Sequence, residues 1–206
     1  MKKPLFKPVT LIILTFLILF SCLSPIYPEQ MFLQHAATLV IIGLLIYDIK
    51  IDFLSKEAFL GIVLFLLLHA IGARYIYSYV PYNEWSQYFL GININETFEW
   101  ERNHYDRIVH FLFGVFLYPF TYEVALKKFK INTKAAFFMA WLMIQTFSML
   151  YEIFEWLLTV FLSGDQAENY NGQQGDPWDA HKDMALALLG STITMVVLLF
   201  KNKVKK

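Results

Sequence analysis

The chain has 206 residues, 57% apolar, 18% aromatic and 17% charged, where soluble domains average about 45–50% apolar and 25% charged. That balance excludes disorder and argues against a soluble globular domain, while nine glycines, seven prolines and the lone Cys22 exclude a collagen-like repeat and a disulfide scaffold. The expected fold is all-α, a polytopic membrane helix bundle of about six transmembrane helices forming one integral membrane domain over 1–206.

A span needs about 20 residues to cross a hydrocarbon core of about 30 Å, and apolar runs of that size lie near 9–27, 31–48, 57–78, 106–124, 135–162 and 180–200. The first follows Lys2 and Lys3 and contains Leu19-Phe20-Ser21-Cys22, which also reads as a lipoprotein-type cleavage signal. Phe20 is bulky where such a site has a small residue, so an uncleaved helix is the preferred reading, with Cys22 a small apolar residue within it. The second runs almost unbroken from Ala36 to Tyr47, with His35 near its start and Asp48 and Lys50 closing it. The third carries His69, Gly72 and Ala73 on one face, with Arg74 rotated away.

The 79–105 segment is rich in aromatic residues, among them Tyr79, Tyr82, Trp85, Tyr88, Phe89, Phe98 and Trp100, as suits a lid in the interfacial zone. Its Asn95-Glu96-Thr97 fits a glycosylation acceptor pattern, which has meaning only in a cell that glycosylates there. The fourth helix enters through Asn103-His104-Tyr105-Asp106-Arg107, and His110 follows Asp106 by one turn on the same face. On the fifth, Gln145, Ser148, Glu152 and Glu155 draw one polar stripe. The sixth opens with Gly175-Asp176-Pro177-Trp178-Asp179, where Asp176 is a natural N-cap and Pro177 suits the first helical position. Asp183 follows, and Ala187, Gly190 and Thr194 continue its face as a small-residue strip for close helix packing.

Basic residues mark the sidedness. Thirteen lysines fall at the N-terminus, in the 49–56 and 125–134 loops and in the tail, against Arg74, Arg102, Arg107 and Lys182 on the other side. The positive-inside rule then places both termini in the cytoplasm, with loops 28–30, 79–105 and 163–179 outside. Topology accounts for these basic residues, so no nucleic-acid partner is expected; the expected partners are membrane lipids, with protein partners unknown.

Ionisable residues within spans cost about 2.5–3.5 kcal/mol each on insertion scales and are functional candidates by default. His69, His104, His110 and His181, with Asp106, Glu152, Glu155, Asp176, Asp179 and Asp183, all fall toward the outer side, which implies an outward-opening polar cavity among helices three to six. Asp106, His110, Glu152, Glu155, Asp179 and Asp183 form a candidate ligand set for a divalent metal ion, the cofactor otherwise being unknown. His110, Glu152 and Asp183 are the candidate catalytic groups, and Arg74, Arg107 and His69 the candidate substrate-binding ones. The plainer readings stand beside these. Asp176 is foremost a cap, His181 and Lys182 face solvent, His35 and His104 are interfacial, and Arg74 and Arg107 serve as counter-ions to Glu152, Glu155 or Asp106.

The blocks His69-Ala70-Ile71-Gly72-Ala73, Asn103 to Arg107 with His110-Phe111, Tyr151-Glu152 with Glu155-Trp156, and Gly175 to Asp179 with Asp183-Met184 resemble the YjdF family of bacterial inner-membrane proteins. The resemblance spans most of the chain and implies a multi-pass plasma-membrane protein of a family without an established activity. A weaker resemblance is to VanZ-like proteins, carried by Asp106, Arg107, His110, Glu152, Glu155, Asp179 and Asp183, with Asp183 where that pattern has Asn and Leu186 where it has Gly. It implies an envelope lipid or cell-wall role.

Three functions follow. The first is binding of an envelope lipid, ion or partner by the outward-facing cavity, with the polar cluster fixing helix register. The second is a metal-dependent hydrolase or transferase acting on a lipid-linked substrate, although no His-Glu-x-x-His, paired cysteine, nucleophile elbow or phosphate loop occurs. The third is a proton- or cation-coupled transporter, which the bare inner half and the absence of an inverted repeat disfavour.

Overall fold

The computed structural model of the protein describes residues 5–161 and 173–204. The expected 163–179 loop therefore lies largely outside the described residues, as do Lys2, Lys3, Lys205 and Lys206. Helices run over Phe6–Ser21 (α1), Pro28–Ile51 (α2), Lys56–Tyr75 (α3), Tyr82–Leu90 (α4), Ile94–Thr97 (α5), Tyr105–Glu123 (α6), Thr133–Phe161 (α7) and Asp179–Val204 (α8), with a π turn at Val124–Lys128 after α6. Among the described residues there is no strand. Among the described residues five helices, α2, α3, α6 extended by the π turn, α7 and α8, are long and apolar enough to cross a membrane.

The first expected span is corrected. Instead of 9–27 the helix covers Phe6–Ser21, because Ser24 turns the chain with φ 52° and Pro25 and Pro28 have no N–H to continue a helical ladder. At 16 residues it measures about 24 Å, yet it reaches both ends of α3. At its start Lys7 Nζ donates to Asp48 Oδ2 (2.8 Å), Asp52 Oδ1 (2.7 Å) and the Leu54 carbonyl (2.6 Å) beside the α2–α3 turn. At its end the Ser21 carbonyl accepts from Arg74 Nη1 at 2.7 Å. Between these clamps Leu11, Leu14 and Ile18 pack into a core with Phe59, Ile62, Val63 and Leu66 of α3.

The third expected span ends early, at Tyr75 rather than 78, because Ile76 and Tyr77 both adopt φ 47°. The 79–105 segment is not all loop, since it contains α4 and α5. Gly91 closes α4 with φ 70°, a conformation glycine adopts without steric cost, and Asn93 caps α5 by accepting from the Glu96 amide.

α6 is the hub, packing against α3, α7 and α8. Its approach to α8 is set by glycine: a Cβ on Gly190 would stand 2.1 Å from the Phe111 carbonyl oxygen, and one on Gly114 2.3 Å from that of Ala187. The small-residue strip foreseen on the last helix thus meets a matching gap on α6. Pro119 lies inside α6, and the carbonyl it leaves without an intrahelical donor, that of Val115, accepts from Thr194 Oγ1 at 3.4 Å. Ser55 N donates to Glu123 Oε2 at 2.9 Å, so α6 runs antiparallel to α3. The ends of α3, α6, α7 and α8 that lie away from the α2–α3 turn converge, and the polar residues converge with them.

Candidate functional site

Asp106 and His110 sit one turn apart near the start of α6, where that helix meets α7 and α8. His110 Nε2 lies 3.6 Å from Asp106 Oδ1 and 3.5 Å from Glu152 Oε1 of α7. Asp183, in the second turn of α8, completes the cluster: one ligand atom each from Asp106, His110 and Asp183 all lie within 4.8 Å of one another. Burial is deep, with residue exposures of 9% for Asp106, 7% for His110, 8% for Glu152 and 2% for Asp183. Glu152 Oε1 and Asp183 Oδ1 are buried with no hydrogen-bond partner, and so is Ser148 Oγ one turn before Glu152. Buried acceptors without partners are costly.

Above this cluster lies a separate clasp of opposite charges. Arg102 grips Asp179 through Nη1 to Oδ1 (2.5 Å) and Nη2 to Oδ2 (3.3 Å). Arg107 Nη2 donates to Asp176 and reaches Asp179 Oδ1 at 3.3 Å, while Lys182 Nζ meets Asp176 Oδ2 at 2.6 Å. The hydrogen bond from Lys182, with those from the Trp178 amide and Arg107, holds the Asp176 carboxyl down at about 2. Burial, then Arg107 and Arg102, hold the neighbouring His104 below the usual histidine range. The clasp ties the start of α8 to the segment before α6, seconded by Asn103 N donating to Gln174 Oε1 at 2.9 Å.

This arrangement sorts the expected site residues. Asp106, His110, Glu152 and Asp183 come together. Asp179 is turned toward the two arginines, and Glu155, half-buried, is not among the described residues whose ligand atoms converge. Arg107 joins the clasp. Arg74 goes to the opposite flank, where Nη1 donates to the Ser21 and Leu23 carbonyls and caps α1. Asp176 Oδ1 accepts from Trp178 N at 3.1 Å, a local turn cap one residue pair ahead of α8. In the sequence Arg102 reads only as a charge, because it lies in an aperiodic loop and its partner is 77 residues away.

An apolar cavity of about 260 Å³ adjoins the cluster. Asp106, His110 and Ser148 line its polar end, and Thr38, Phe65, Leu66, Val109, Phe113 and Leu117 line much of the rest. His69 also faces it, fixed by Nδ1 to the Tyr77 hydroxyl (2.6 Å) and Nε2 to the Gln34 carbonyl (3.1 Å). The left-handed turn at Ile76 and Tyr77 brings the Tyr77 ring back over Gly72, where any Cβ would lie 2.6 Å from it. Such backbone conformations cost about 1–3 kcal/mol each in non-glycine residues.

Residues 6–203 match the family model described as "Predicted membrane protein (DUF2238)". The chain belongs to that family. It is 25% identical over 197 residues to "Inner membrane protein YjdF" of Escherichia coli strain K12, covering 95% of this chain and 90% of that protein. No solved structure matches. The DUF2238 match and the YjdF relative bear out the resemblance to the YjdF family, and they lend none to the weaker one to VanZ-like proteins.

Proposed function

We propose that this DUF2238 protein binds a divalent cation inside the membrane through Asp106, His110 and Asp183, and uses the bound ion to hold the polar group of an envelope lipid. The observation that carries this reading is the convergence of three ligand atoms within 4.8 Å around buried carboxylate oxygens that accept no hydrogen bond. Gathering three carboxylates, those of Asp106, Glu152 and Asp183, in a buried place is unfavourable unless positive charge compensates them. Among the described residues, the ion pairs of Arg102, Arg107 and Lys182 run to Asp176 and Asp179. A mixed carboxylate and imidazole set suits Zn²⁺, Mn²⁺ or Fe²⁺.

A second reading, metal-dependent hydrolysis of a lipid-linked substrate, draws on Glu152. Its Oε1 is orphaned and 3.5 Å from His110 Nε2, a position suited to a general base beside a metal-bound water. For location, the charge asymmetry and the YjdF relative support an inner-membrane protein with both termini in the cytoplasm.

The test is elemental mass spectrometry on full-length protein purified in detergent, loaded with Zn²⁺, Mn²⁺ or Fe²⁺ and dialysed. Near-stoichiometric metal is expected in wild type and its loss in His110→Ala and Asp183→Asn, each confirmed as folded by a sharp thermal transition. Metal-free folded wild type, or metal retained by both variants, overturns the reading.

A further inference from the structure

The cavity beside the cluster is open to one side, and its mouth identifies what enters it. Two of its lining residues, Ala37 on α2 and Phe147 on α7, are exposed, with Phe147 at 44%. They stand among exposed apolar neighbours, Leu33, Leu39 and Val40 on α2 and Leu150 on α7. In a membrane-spanning helix such residues face hydrocarbon. The mouth is therefore continuous with the lipid-facing surface of the bundle.

The lining on α6 runs from Asp106 to Leu117, eleven residue steps or about 16 Å, which is close to half of a hydrocarbon core of about 30 Å. That is the depth of one leaflet. The volume, about 260 Å³, falls just below the range of about 300–1,000 Å³ that ligand sites span and is too small for a whole phospholipid. The polar end is not neutral packing either. Ser148 is 2% exposed, lines the cavity, and leaves its Oγ without a partner, although a helical serine ordinarily bonds back to a preceding carbonyl.

We propose that one acyl chain of a membrane phospholipid, from the leaflet on the side of the α3–α6 connection, enters between α2 and α7 and fills this cavity. Its ester carbonyl accepts a hydrogen bond from Ser148 Oγ, and its phosphate meets the cation held by Asp106, His110 and Asp183. The phosphate contact rests on the cation reading above; the chain slot does not. The other acyl chain stays in the bilayer, so the protein takes hold of a lipid without extracting it.

The experiment uses full-length protein in vesicles of phosphatidylethanolamine and phosphatidylglycerol, doped with a phosphatidylglycerol carrying a diazirine partway along one acyl chain. After illumination, adducts are mapped by peptide mass spectrometry. Leu66 at 1% exposure and Val109 at 4% line the cavity and are shielded from bilayer lipid, so adducts on them report entry of a chain. Labelling at these two residues is expected in wild type, retained in Leu39→Phe, and lost in Ala37→Phe, which blocks the mouth from an exposed position and leaves the core untouched. Absence of label at Leu66 and Val109, or equal label in Ala37→Phe, overturns the proposal. Metal content of Ala37→Phe separates the two readings: lost label with retained metal isolates the slot, whereas a metal-free wild type that still labels keeps the slot and removes the cation.

Discussion

Asp176 shows how one carboxylate can hold an assembly together without belonging to the site below it. Its carboxyl is stabilised in the charged form by Lys182 and Arg107, so its folded pKa, about 2, lies below the ordinary value of 3.8. A depressed pKa contributes stability above the unfolded value, and that contribution is lost as pH falls from about 4 toward 2. Asp176→Asn should therefore lower the thermal transition of detergent-solubilised protein at pH 7, and the gap from wild type should narrow steadily as pH falls below 4. A gap that stays constant down to pH 2.5 would mean that the carboxylate charge contributes nothing to the clasp. At this scale the sequence was legible where partners share a helix face. Asp106 with His110, and Ser148 with Glu152, follow from helical periodicity alone. The partners of Arg102, Arg74 and Lys7 lie 77, 53 and 41 residues away, and no local pattern specifies them.

Among the elements, the α6–α8 contact fixes the site, since Asp106 and His110 come from one helix and Asp183 from the other. Gly190 and Gly114 let the two backbones approach until a Cβ would strike a carbonyl oxygen. Gly190→Ala is expected to destabilise the protein by about 1–3 kcal/mol, the usual range for overpacking. It should also loosen metal retention, because moving α8 outward takes Asp183 from His110. Gly43→Ala, with nothing within 4 Å of its Cβ, serves as control and should leave both unchanged; thermal unfolding followed by tryptophan fluorescence, with metal content alongside, checks this. If Gly190→Ala melts with wild type, the close approach is not needed for stability. Helix identities were legible because long apolar runs admit little else, and the small-residue strip was legible from Ala187, Gly190 and Thr194. Ends decided by backbone conformation were not. Nothing in the apolar run from 57 to 78 announces that Ile76 and Tyr77 will turn left-handed and aim Tyr77 at His69.

For the whole molecule, the parity of crossings turns on α1, among the described residues the one apolar helix shorter than a usual span. Its ends settle its path through the bundle: Lys7 is bound beside the start of α3 and Ser21 beside its last turn, so α1 runs parallel to α3 over nearly its full height. With α2 returning between them, α6 antiparallel to α3, and α7 and α8 following, six apolar helices alternate in direction. The start of α1 and the end of α8 then lie at the same end of the bundle as the 49–56 and 125–134 loops, where the lysines gather. If all six cross, a reporter active only in the cytoplasm should work when fused at either terminus, and one active only outside the membrane should work when inserted at the exposed Ile92 in the α4–α5 turn. Removing α1 should leave the C-terminal reporter facing the same way, because lysine retention acts on each remaining loop separately, but it should expose the α3 face of Phe59, Ile62 and Leu66 and lower the yield of folded protein. A terminal pair reporting opposite sides would show that α1 lies along the membrane instead of through it, and the cavity mouth between α2 and α7 would then face a differently ordered bilayer.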